Sequence, residues 1–376
     1  MSRDYTVAVV IPKYGLVGGG EHFARELTER IAMDCRYDVH VFANKWIPQS
    51  ERITFHKVPI ITFPKFLTTI SFAWFANRKI GKMHFDIIHT HDRIFYAHIY
   101  TMHGVPHPFW VKEVRRKRMS LFDFATSWVE RKLVESGRCR MFLPVSTLAE
   151  EKFFDAFHAD PAQVHVVHPG VNLDTFLNPD RNRCRQEIRK LFNIDESDTV
   201  ILFVSMNFEL KGLDNLLAAT AMAKSEHPSH TLKVLVIGKG NQRKYGRLAE
   251  SLGIGGDVIF GGVWEHGIEQ VYLAADIFAM LSRFDTFGMA VLEAMSASLP
   301  VIITENVGAK DLVEDSVNGF VVDRDDIHAI SSRIGFLLGA ENREKMGRKA
   351  NLTAAQNTWD RAAERLSGIY HRVAEN

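Results

Sequence analysis

The 376-residue sequence has little cysteine and no long apolar run. Its three cysteines, Cys35, Cys139 and Cys184, are odd in number and widely spaced, so they indicate neither a disulfide framework nor a metal-binding pair. No segment approaches the roughly 18 uninterrupted apolar residues that would cross a bilayer, which leaves only peripheral contact with a membrane. The first apolar stretch is short and ends at Pro12 and Lys13, unlike a signal peptide. We therefore expect a cytoplasmic protein.

The sequence also lacks the Gly-x-Gly-x-x-Gly fingerprint of dinucleotide-binding proteins. Gly18, Gly19 and Gly20 are consecutive, and the segment starting at Gly238 and Gly240 has no third glycine at the required position. A nicotinamide cofactor is therefore disfavoured.

The length and the charge distribution indicate two domains with different partners. A chain of 376 residues is long for one core, and its 46% hydrophobic and 24% charged residues are typical of a globular protein. Residues 1–185 hold 26 Lys and Arg against 19 Asp and Glu, whereas residues 186–376 hold 20 against 26. The first half is thus +7 and the second −6, although a chance imbalance over a large surface explains the counts as well.

Short apolar segments alternate with amphipathic ones in both halves, which predicts two doubly wound parallel sheets. In the second half we predict strands at residues 200–206, 233–238, 257–261, 277–281, 300–304 and 319–322, and helices at 213–224, 245–252, 268–275, 288–296 and 327–338. In the first half we predict strands at residues 6–12, 39–43, 85–89, 99–103, 141–145 and 164–167, with the first helix at 21–33.

The predicted domains are residues 1–180 and 181–356, with a linker at 172–185 that contains Pro179 and few apolar residues. Two amphipathic helices, at 342–357 and 359–373, have no strand left to cover. We expect the segment 357–376 to cross back onto the first domain.

Three segments carry residues suited to binding a phosphorylated ligand. Gly18, Gly19 and Gly20 open the first helix, where glycines permit close approach and free N–H groups suit a phosphate; a tight strand-to-helix turn is the alternative. Lys211 follows the first strand of the second half, where it could neutralise a leaving diphosphate or be an ordinary surface charge.

The third segment, residues 282–302, contains two carboxylates. Asp285 precedes a predicted helix and Glu293 lies two turns inside it, among apolar residues. A buried glutamate is costly unless paired, so ribose hydroxyls could satisfy Glu293. The amides near Phe287, Gly288 and Met289 would be free to meet phosphate. The alternative is a glutamate that faces solvent.

Taken together, these and further phrases resemble the family 4 glycosyltransferases of the GT-B fold over nearly the whole chain. The phrases, in order, are Gly18-Gly-Gly-Glu21, Phe85-Asp-Ile-Ile-His-Thr-His91, His103-Gly-Val-Pro-His107, His168-Pro-Gly-Val-Asn-Leu-Asp-Thr-Phe176, Lys211-Gly212, the 285–293 segment, Gly308-Ala-Lys-Asp-Leu-Val-Glu-Asp315, Asn318-Gly-Phe320 and Trp359-Asp360. Within the family, the chain is most similar to enzymes that add a hexose to the lipopolysaccharide core.

The resemblance implies two Rossmann-like domains facing a central cleft, and a retaining transfer of a hexose from a UDP- or GDP-linked sugar to a glycan or lipid-linked acceptor. By this resemblance, Gly19 lies against the diphosphate, His103 contacts the donor sugar, Lys211 stabilises the leaving diphosphate, Asp285 holds sugar hydroxyls and Glu293 holds the ribose. It implies no metal and no cofactor, so the His89-x-His91 pair is interpreted as strand-end structure and not as metal ligands.

Two positions depart from the family pattern. Asp285 stands where the family usually has the longer Glu, and no arginine occurs shortly before Lys211, where residues 206–210 are Met-Asn-Phe-Glu-Leu. A catalytically idle binder of sugar nucleotides or anionic glycans therefore remains as an alternative function. Within the same fold, a sugar epimerase is a further alternative. A phosphorylase would need a pyridoxal lysine, which we do not identify.

The first domain concentrates its positive charge in residues 112–118, which include Lys112, Arg115, Arg116 and Arg118. Aromatic residues lie nearby at 63–75 and 109–110. Basic and aromatic residues together suit a phosphorylated, lipid-linked acceptor at an anionic membrane, whereas no nucleic-acid-binding motif is present. Alternatively, the aromatic residues belong to the core and the arginines to a solvated helix face.

Overall fold

The computed structural model describes residues 5–16, 18–47 and 50–375 and divides into two compact units. The first unit comprises the described residues up to Gly170 together with those from Trp359 onward, and the second comprises Val171–Thr358. The boundary at Gly170 falls ten residues before the one we predicted at 180. The expected linker at 172–185 is not an irregular segment, because two helices begin within it.

The first unit is built from eight strands and five helices, followed at the far end of the chain by one more. The strands are β1 Tyr5–Val10, β2 Lys13–Tyr14, β3 Tyr37–Ala43, β4 Lys45–Trp46, β5 Ile53–Lys57, β6 Ile87–Thr90, β7 Ile99–Met102 and β8 Met141–Pro144. The helices are α1 Gly19–Met33, α2 Leu67–Ile80, α3 His107–Phe109, α4 Leu121–Val134 and α5 Thr147–Ala156. A short π-helical turn, Trp110–Val114, follows α3.

The second unit contains six strands and eight helices. The strands are β9 Thr199–Ser205, β10 Leu232–Gly238, β11 Val258–Gly262, β12 Ile277–Met280, β13 Val301–Thr304 and β14 Gly319–Val322. The helices are α6 Asp174–Leu177, α7 Arg181–Leu191, α8 Leu213–Glu226, α9 Gln242–Ser251, α10 Ile268–Ala274, α11 Met289–Ser296, α12 Ile327–Phe336 and α13 Ala340–Ala355.

The last helix, α14 Trp359–Ala374, belongs to the first unit. Its apolar face is buried and includes Trp359, Leu366 and Tyr370. Trp359 packs edge-on against Phe23 of α1 at 5.6 Å between ring centroids. The first unit is thus formed from segments at the two ends of the described chain.

Both large sheets are parallel and have the same strand order. The first is ordered β5-β3-β1-β6-β7-β8 and the second β11-β10-β9-β12-β13-β14. Their strands are apolar and buried, as parallel sheets covered on both faces require. The prediction of two doubly wound parallel-sheet domains is confirmed. In such sheets ligands bind beyond the carboxyl ends of the strands where the order reverses, here between β1 and β6 and between β9 and β12.

One predicted strand is wrong. Residues 164–167 run beside β8, where the His165 and Val167 amides donate to the Phe142 and Pro144 carbonyls at 2.9 Å, but they form an isolated bridge and not a regular strand. The apolar character of this segment comes from Val164 and Val167, which are buried beside β8.

Candidate active site

An ion pair joins the two loops at the reversal point of the second sheet. Lys211, in the loop after β9, donates through Nζ to Asp285 Oδ2, in the loop after β12. The two loops are also tied through their backbones, since the Arg283 amide donates to the Leu210 carbonyl at 2.8 Å. The sequence thus places two residues 74 positions apart at one point of the sheet edge.

A glycine brings Lys211 into this position. Gly212 is the N-cap of α8 and has a φ of 74°. A Cβ at Gly212 would lie 2.0 Å from the carbonyl oxygen of Leu281, at the end of β12. Only glycine therefore permits this left-handed turn and this close approach together.

The start of α11 lies next to Asp285 in sequence and presents backbone amides. Its N-cap is Gly288, at a φ of 92°, which has no side chain to cap the helix. The Phe287 amide already donates to Asp285 Oδ1 at 3.3 Å. Gly288 and Met289 therefore carry the amides that the helix start offers to an anion.

Glu293 is half-buried in α11, and one oxygen of its carboxylate has a protein partner. Its Oε2 accepts a hydrogen bond of 2.7 Å from the hydroxyl of Tyr272 in α10. Burial raises the pKa of Glu293, and the Tyr272 hydrogen bond opposes that rise. The pKa of Tyr272 is well above its ordinary value, because of burial and the neighbouring Glu293 charge. Glu293 thus has one fixed protein partner.

At the reversal point of the first sheet, the glycine segment packs against His103. A Cβ at Gly20 would lie 3.0 Å from Cγ of His103, whereas one at Gly19 would have no neighbour within 4 Å. At Gly18 it would lie 2.0 Å from the Glu21 carboxylate. The three glycines therefore differ. Gly18 and Gly20 are packed closely against other side chains, whereas of the three only Gly19 has open space where a Cβ would lie.

Three histidines form a row behind this glycine segment. His91 Nδ1 lies 3.0 Å from His103 Nε2, and their rings are stacked at 5.2 Å. His89 contacts Thr101 Oγ1 and the Tyr370 hydroxyl of α14, each at 2.7 Å. Burial lowers the pKa of His89 and of His103 to about 3, so both rings are neutral near pH 7. These neutral rings can donate and accept hydrogen bonds but carry no charge.

Four basic residues of the first unit are exposed in the π-helical turn and in the short stretch of chain directly after it. Lys112, Arg115, Arg116 and Arg118 all face solvent, although they do not share a regular helix. Among the aromatic residues nearby, Phe63 is 87% exposed and Trp74 48% exposed, while Phe72 is in the core. Phe109 and Trp110 are half-buried.

No group of three or more His, Cys, Asp or Glu side chains in the described part of the chain is arranged to hold a metal ion. Within residues 5–16, 18–47 and 50–375, no helix combines the length and the apolarity of a membrane span.

One side chain at these sites escapes sequence reasoning. Tyr272 contacts Glu293 through packing between α10 and α11, whereas His91 and His103 follow adjacent parallel strands and meet there. The His89-x-His91 spacing did signal a strand end, but nothing local to residue 272 points to residue 293.

Two family models match the chain, one for each half. Residues 17–175 match the model described as Glycosyltransferase Family 4, and residues 184–353 match that of Glycosyl transferases group 1. The two matches follow the division into units and leave only short segments uncovered.

Among curated proteins, similar ones are D-inositol 3-phosphate glycosyltransferases. That of Corynebacterium kroppenstedtii is 32% identical over 57% of this chain and 49% of its own length. That of Salinispora tropica is 32% identical over 59% of this chain and 49% of its own length. The matched region thus spans about half the length of these relatives.

Solved structures with the same fold cover nearly the whole chain. WaaG, a glycosyltransferase involved in lipopolysaccharide biosynthesis, has a TM-score of 0.78 at 19% identity, covering 97% of this chain and 99% of WaaG. Anabaena HepE in complex with UDP-glucose has a TM-score of 0.73 at 15% identity, covering 98% and 100%. With the two family matches and this GT-B fold, the chain belongs to the family 4 glycosyltransferases.

Proposed function

We propose that this protein is a retaining glycosyltransferase that moves a hexose from a nucleoside-diphosphate sugar to a glycan or lipid-linked acceptor. The observation that carries the proposal is the Lys211–Asp285 pair at the reversal point of the second sheet, beside the start of α11. A cation and free helix amides together suit a diphosphate, and a carboxylate suits sugar hydroxyls.

In this proposal the second unit binds the donor. The Lys211 ammonium and the amides of Gly288 and Met289 take the charge that develops on the leaving diphosphate. Asp285 holds hydroxyls of the transferred sugar, and Glu293 accepts from the ribose. In the first unit, Gly19 gives room for the diphosphate and His103 meets the donor sugar as a neutral hydrogen-bonding group.

We propose a UDP-linked hexose as the donor. The support is that HepE, a structure of the same fold, binds UDP-glucose and, in another complex, UDP and glucose. We further propose that neither a metal nor a cofactor takes part, because Lys211 and the helix amides already provide positive charge for the diphosphate. Full inactivation by a chelator, reversed by added metal, would contradict that part.

We propose a phosphorylated acceptor in lipopolysaccharide-core or other cell-surface glycan synthesis. The curated relatives are named D-inositol 3-phosphate glycosyltransferases, and WaaG is a glycosyltransferase involved in lipopolysaccharide biosynthesis. The exposed Lys112, Arg115, Arg116 and Arg118 give the first unit a surface that attracts such an anion.

The same unit has an exposed apolar surface suited to a membrane. On α4, Leu121, Phe124 and Trp128 are 74%, 60% and 47% exposed. They lie three and then four residues apart, which places them on one face of the helix. Trp128 also lines a groove of about 540 Å³ with Lys132 and other residues. We propose cytoplasmic placement with peripheral binding of this face to the inner leaflet.

One set of assays distinguishes glycosyl transfer from donor binding without transfer. Purified protein is screened with UDP- and GDP-sugars for thermal stabilisation, and the stabilising donors are then incubated with phosphorylated glycan acceptors. Transfer with an unchanged anomeric configuration, read by proton NMR of the product, supports the proposal. Stabilisation without transfer or donor hydrolysis would favour the idle binder, and interconversion of two UDP-sugars would favour an epimerase.

A further inference from the structure

The tyrosine that contacts Glu293 is held rigidly in the interior of the second unit. Tyr272 is fully buried in α10. Its ring lies 6.0 Å from that of Phe176, edge to face, and 6.1 Å from that of Phe278 in β12. Because aromatic neighbours fix the ring and the rigid ring carries the hydroxyl, that hydroxyl has one available position.

The hydrogen bond from this hydroxyl has one direction. Tyr272 stays protonated, since burial and the Glu293 charge raise its pKa well above 10. An ionised carboxylate only accepts, so Tyr272 donates to Glu293 Oε2 at 2.7 Å. This bond is the one side-chain hydrogen bond that Glu293 makes within the described residues.

The other oxygen of the carboxylate is left for a ligand. Glu293 Oε1 has no hydrogen-bond partner among the described residues, yet it is not among their buried unpartnered atoms, so it reaches solvent. One oxygen is therefore anchored inside the unit and the other is open. A carboxylate anchored in this way is already oriented before a ligand arrives, which reduces the entropy cost of binding.

We propose that Tyr272 is a positioning residue for the nucleoside: it holds Glu293 so that the free Oε1 accepts from the ribose hydroxyls. The inference rests on the proposed ribose contact of Glu293. It concerns a residue of a different helix that does not itself touch the ligand.

The test is a calorimetric titration of nucleotide into wild type, Tyr272→Phe, Glu293→Gln, Glu293→Ala and a double variant. UDP and GDP are both titrated, and the one that binds wild type more tightly is the probe. Tyr272→Phe removes only the hydroxyl, and we expect it to weaken binding about 3- to 10-fold, as loss of one hydrogen bond does. Because glutamine at 293 can still accept from Tyr272, the double variant combines Tyr272→Phe with Glu293→Ala, and it should bind no more weakly than Glu293→Ala alone.

The 2′,3′-dideoxy form of the probe distinguishes loss of Glu293 positioning from a general structural disturbance of the variant. Without ribose hydroxyls, wild type and Tyr272→Phe should bind equally. The matched control is Tyr245→Phe, which removes a buried hydroxyl with no partner in the described chain. Tyr245→Phe should leave the affinity for the probe and the affinity for its dideoxy form unchanged.

Each failure has a distinct pattern. If Glu293→Gln binds the probe like wild type, or wild type binds neither nucleotide, the proposed function is wrong at this residue and the inference falls with it. If Glu293→Gln weakens binding but Tyr272→Phe does not, the positioning role is overturned while the ribose contact stands. If Tyr272→Phe weakens binding of the normal and the dideoxy nucleotide equally, the positioning role is also overturned.

Discussion

Lys211 and Asp285 form an ion pair between the loops that follow β9 and β12, the two strands at which the second sheet reverses its order. Asp285 is one methylene shorter than glutamate, yet it reaches Lys211 through Oδ2 and the Phe287 amide through Oδ1. Both oxygens of the short side chain therefore have a protein partner, so a donor would have to share or replace these contacts.

Replacing Lys211 tests the electrostatic role of this pair. We expect Lys211→Ala to lower turnover about 100-fold or more, because a preorganised charge at the leaving group is lost. Stability should change little, since the pair is partly exposed to solvent. Steady-state kinetics and thermal unfolding provide the measurements, with Lys345→Ala, an exposed lysine of α13, as the control. An unchanged rate in Lys211→Ala would remove Lys211 from the mechanism.

Replacing Glu293 separates binding from proton transfer. We expect Glu293→Gln to raise the donor KM, with a smaller effect on kcat from loss of orientation. The physical reason is that Glu293 is held by Tyr272 as a hydrogen-bond acceptor. Normal donor affinity together with complete loss of chemistry would instead make Glu293 an acid or a base.

The buried histidines predict that the first unit loses stability in mild acid. The pKa of His89 and of His103 is about 3 in the folded chain, against an ordinary value of 6.5, chiefly because of burial. Between these values the unfolded chain binds more protons, so stability is complete above pH 6.5 and falls as the pH drops toward 3.

For each histidine the loss approaches about 1.4 kcal/mol per pH unit. Urea unfolding between pH 7.5 and 5, followed by fluorescence, measures the slope. His103→Gln should reduce this slope by the contribution of one histidine. A free energy of unfolding that stays flat across this range would show that the rings take up protons as readily in the folded chain as in the unfolded one, which contradicts the prediction.

Charge reversal tests the proposed acceptor face. We expect Arg115→Glu, Arg116→Glu and Arg118→Glu together to reduce binding to anionic vesicles and to raise the acceptor KM, with donor affinity unchanged. Each basic residue near an anionic surface contributes about 1 kcal/mol. Vesicle sedimentation at low salt and acceptor kinetics give the two readings. If both survive the triple reversal, the acceptor binds elsewhere.

A buried arginine should contribute to the stability of the second unit. Arg189 in α7 is 1% exposed and donates to Asp276 at 2.7 Å and to backbone carbonyls, including that of Asp195. Arg189→Ala removes these hydrogen bonds, although Asp276 still accepts from Arg185 and Val200, and the Asp195 carbonyl still accepts from the Asp198 amide. We therefore expect a loss on the order of 1–3 kcal/mol in urea unfolding. Arg183→Ala, an exposed residue of the same helix, should leave the midpoint nearly unchanged.

Sequence reasoning identified most of the second sheet because its strands are short, apolar and separated by amphipathic helices. It placed β14 at residues 319–322 and the start of α8 at Leu213, as the structure has them. It did not identify α2 or α4 of the first unit. Both carry exposed aromatic residues, such as Trp74 and Trp128, which blur the helical pattern of apolar and polar positions.

For the candidate site, sequence reasoning identified residues that lie at strand ends but not those that support them. Asp285 and Lys211 belong to recognisable loops, and their pairing follows from adjacent parallel strands. The contact between Tyr272 and Glu293 depends on how α10 packs beside α11, which no short-range spacing specifies. His91 and His103 directly follow β6 and β7, so their contact, like that of Lys211 with Asp285, is consistent with adjacent parallel strands.

The assignment of α14 to the first unit has a consequence for biosynthesis. Residues Val171–Thr358 are continuous, so a nascent chain can complete the second unit as soon as that stretch has left the ribosome. The first unit, although synthesised earlier, must wait for Trp359 and Tyr370 before its apolar face beside α1 and His89 is covered. The order of folding should therefore be the reverse of the order of synthesis, with the earlier unit exposed to chaperones for longer.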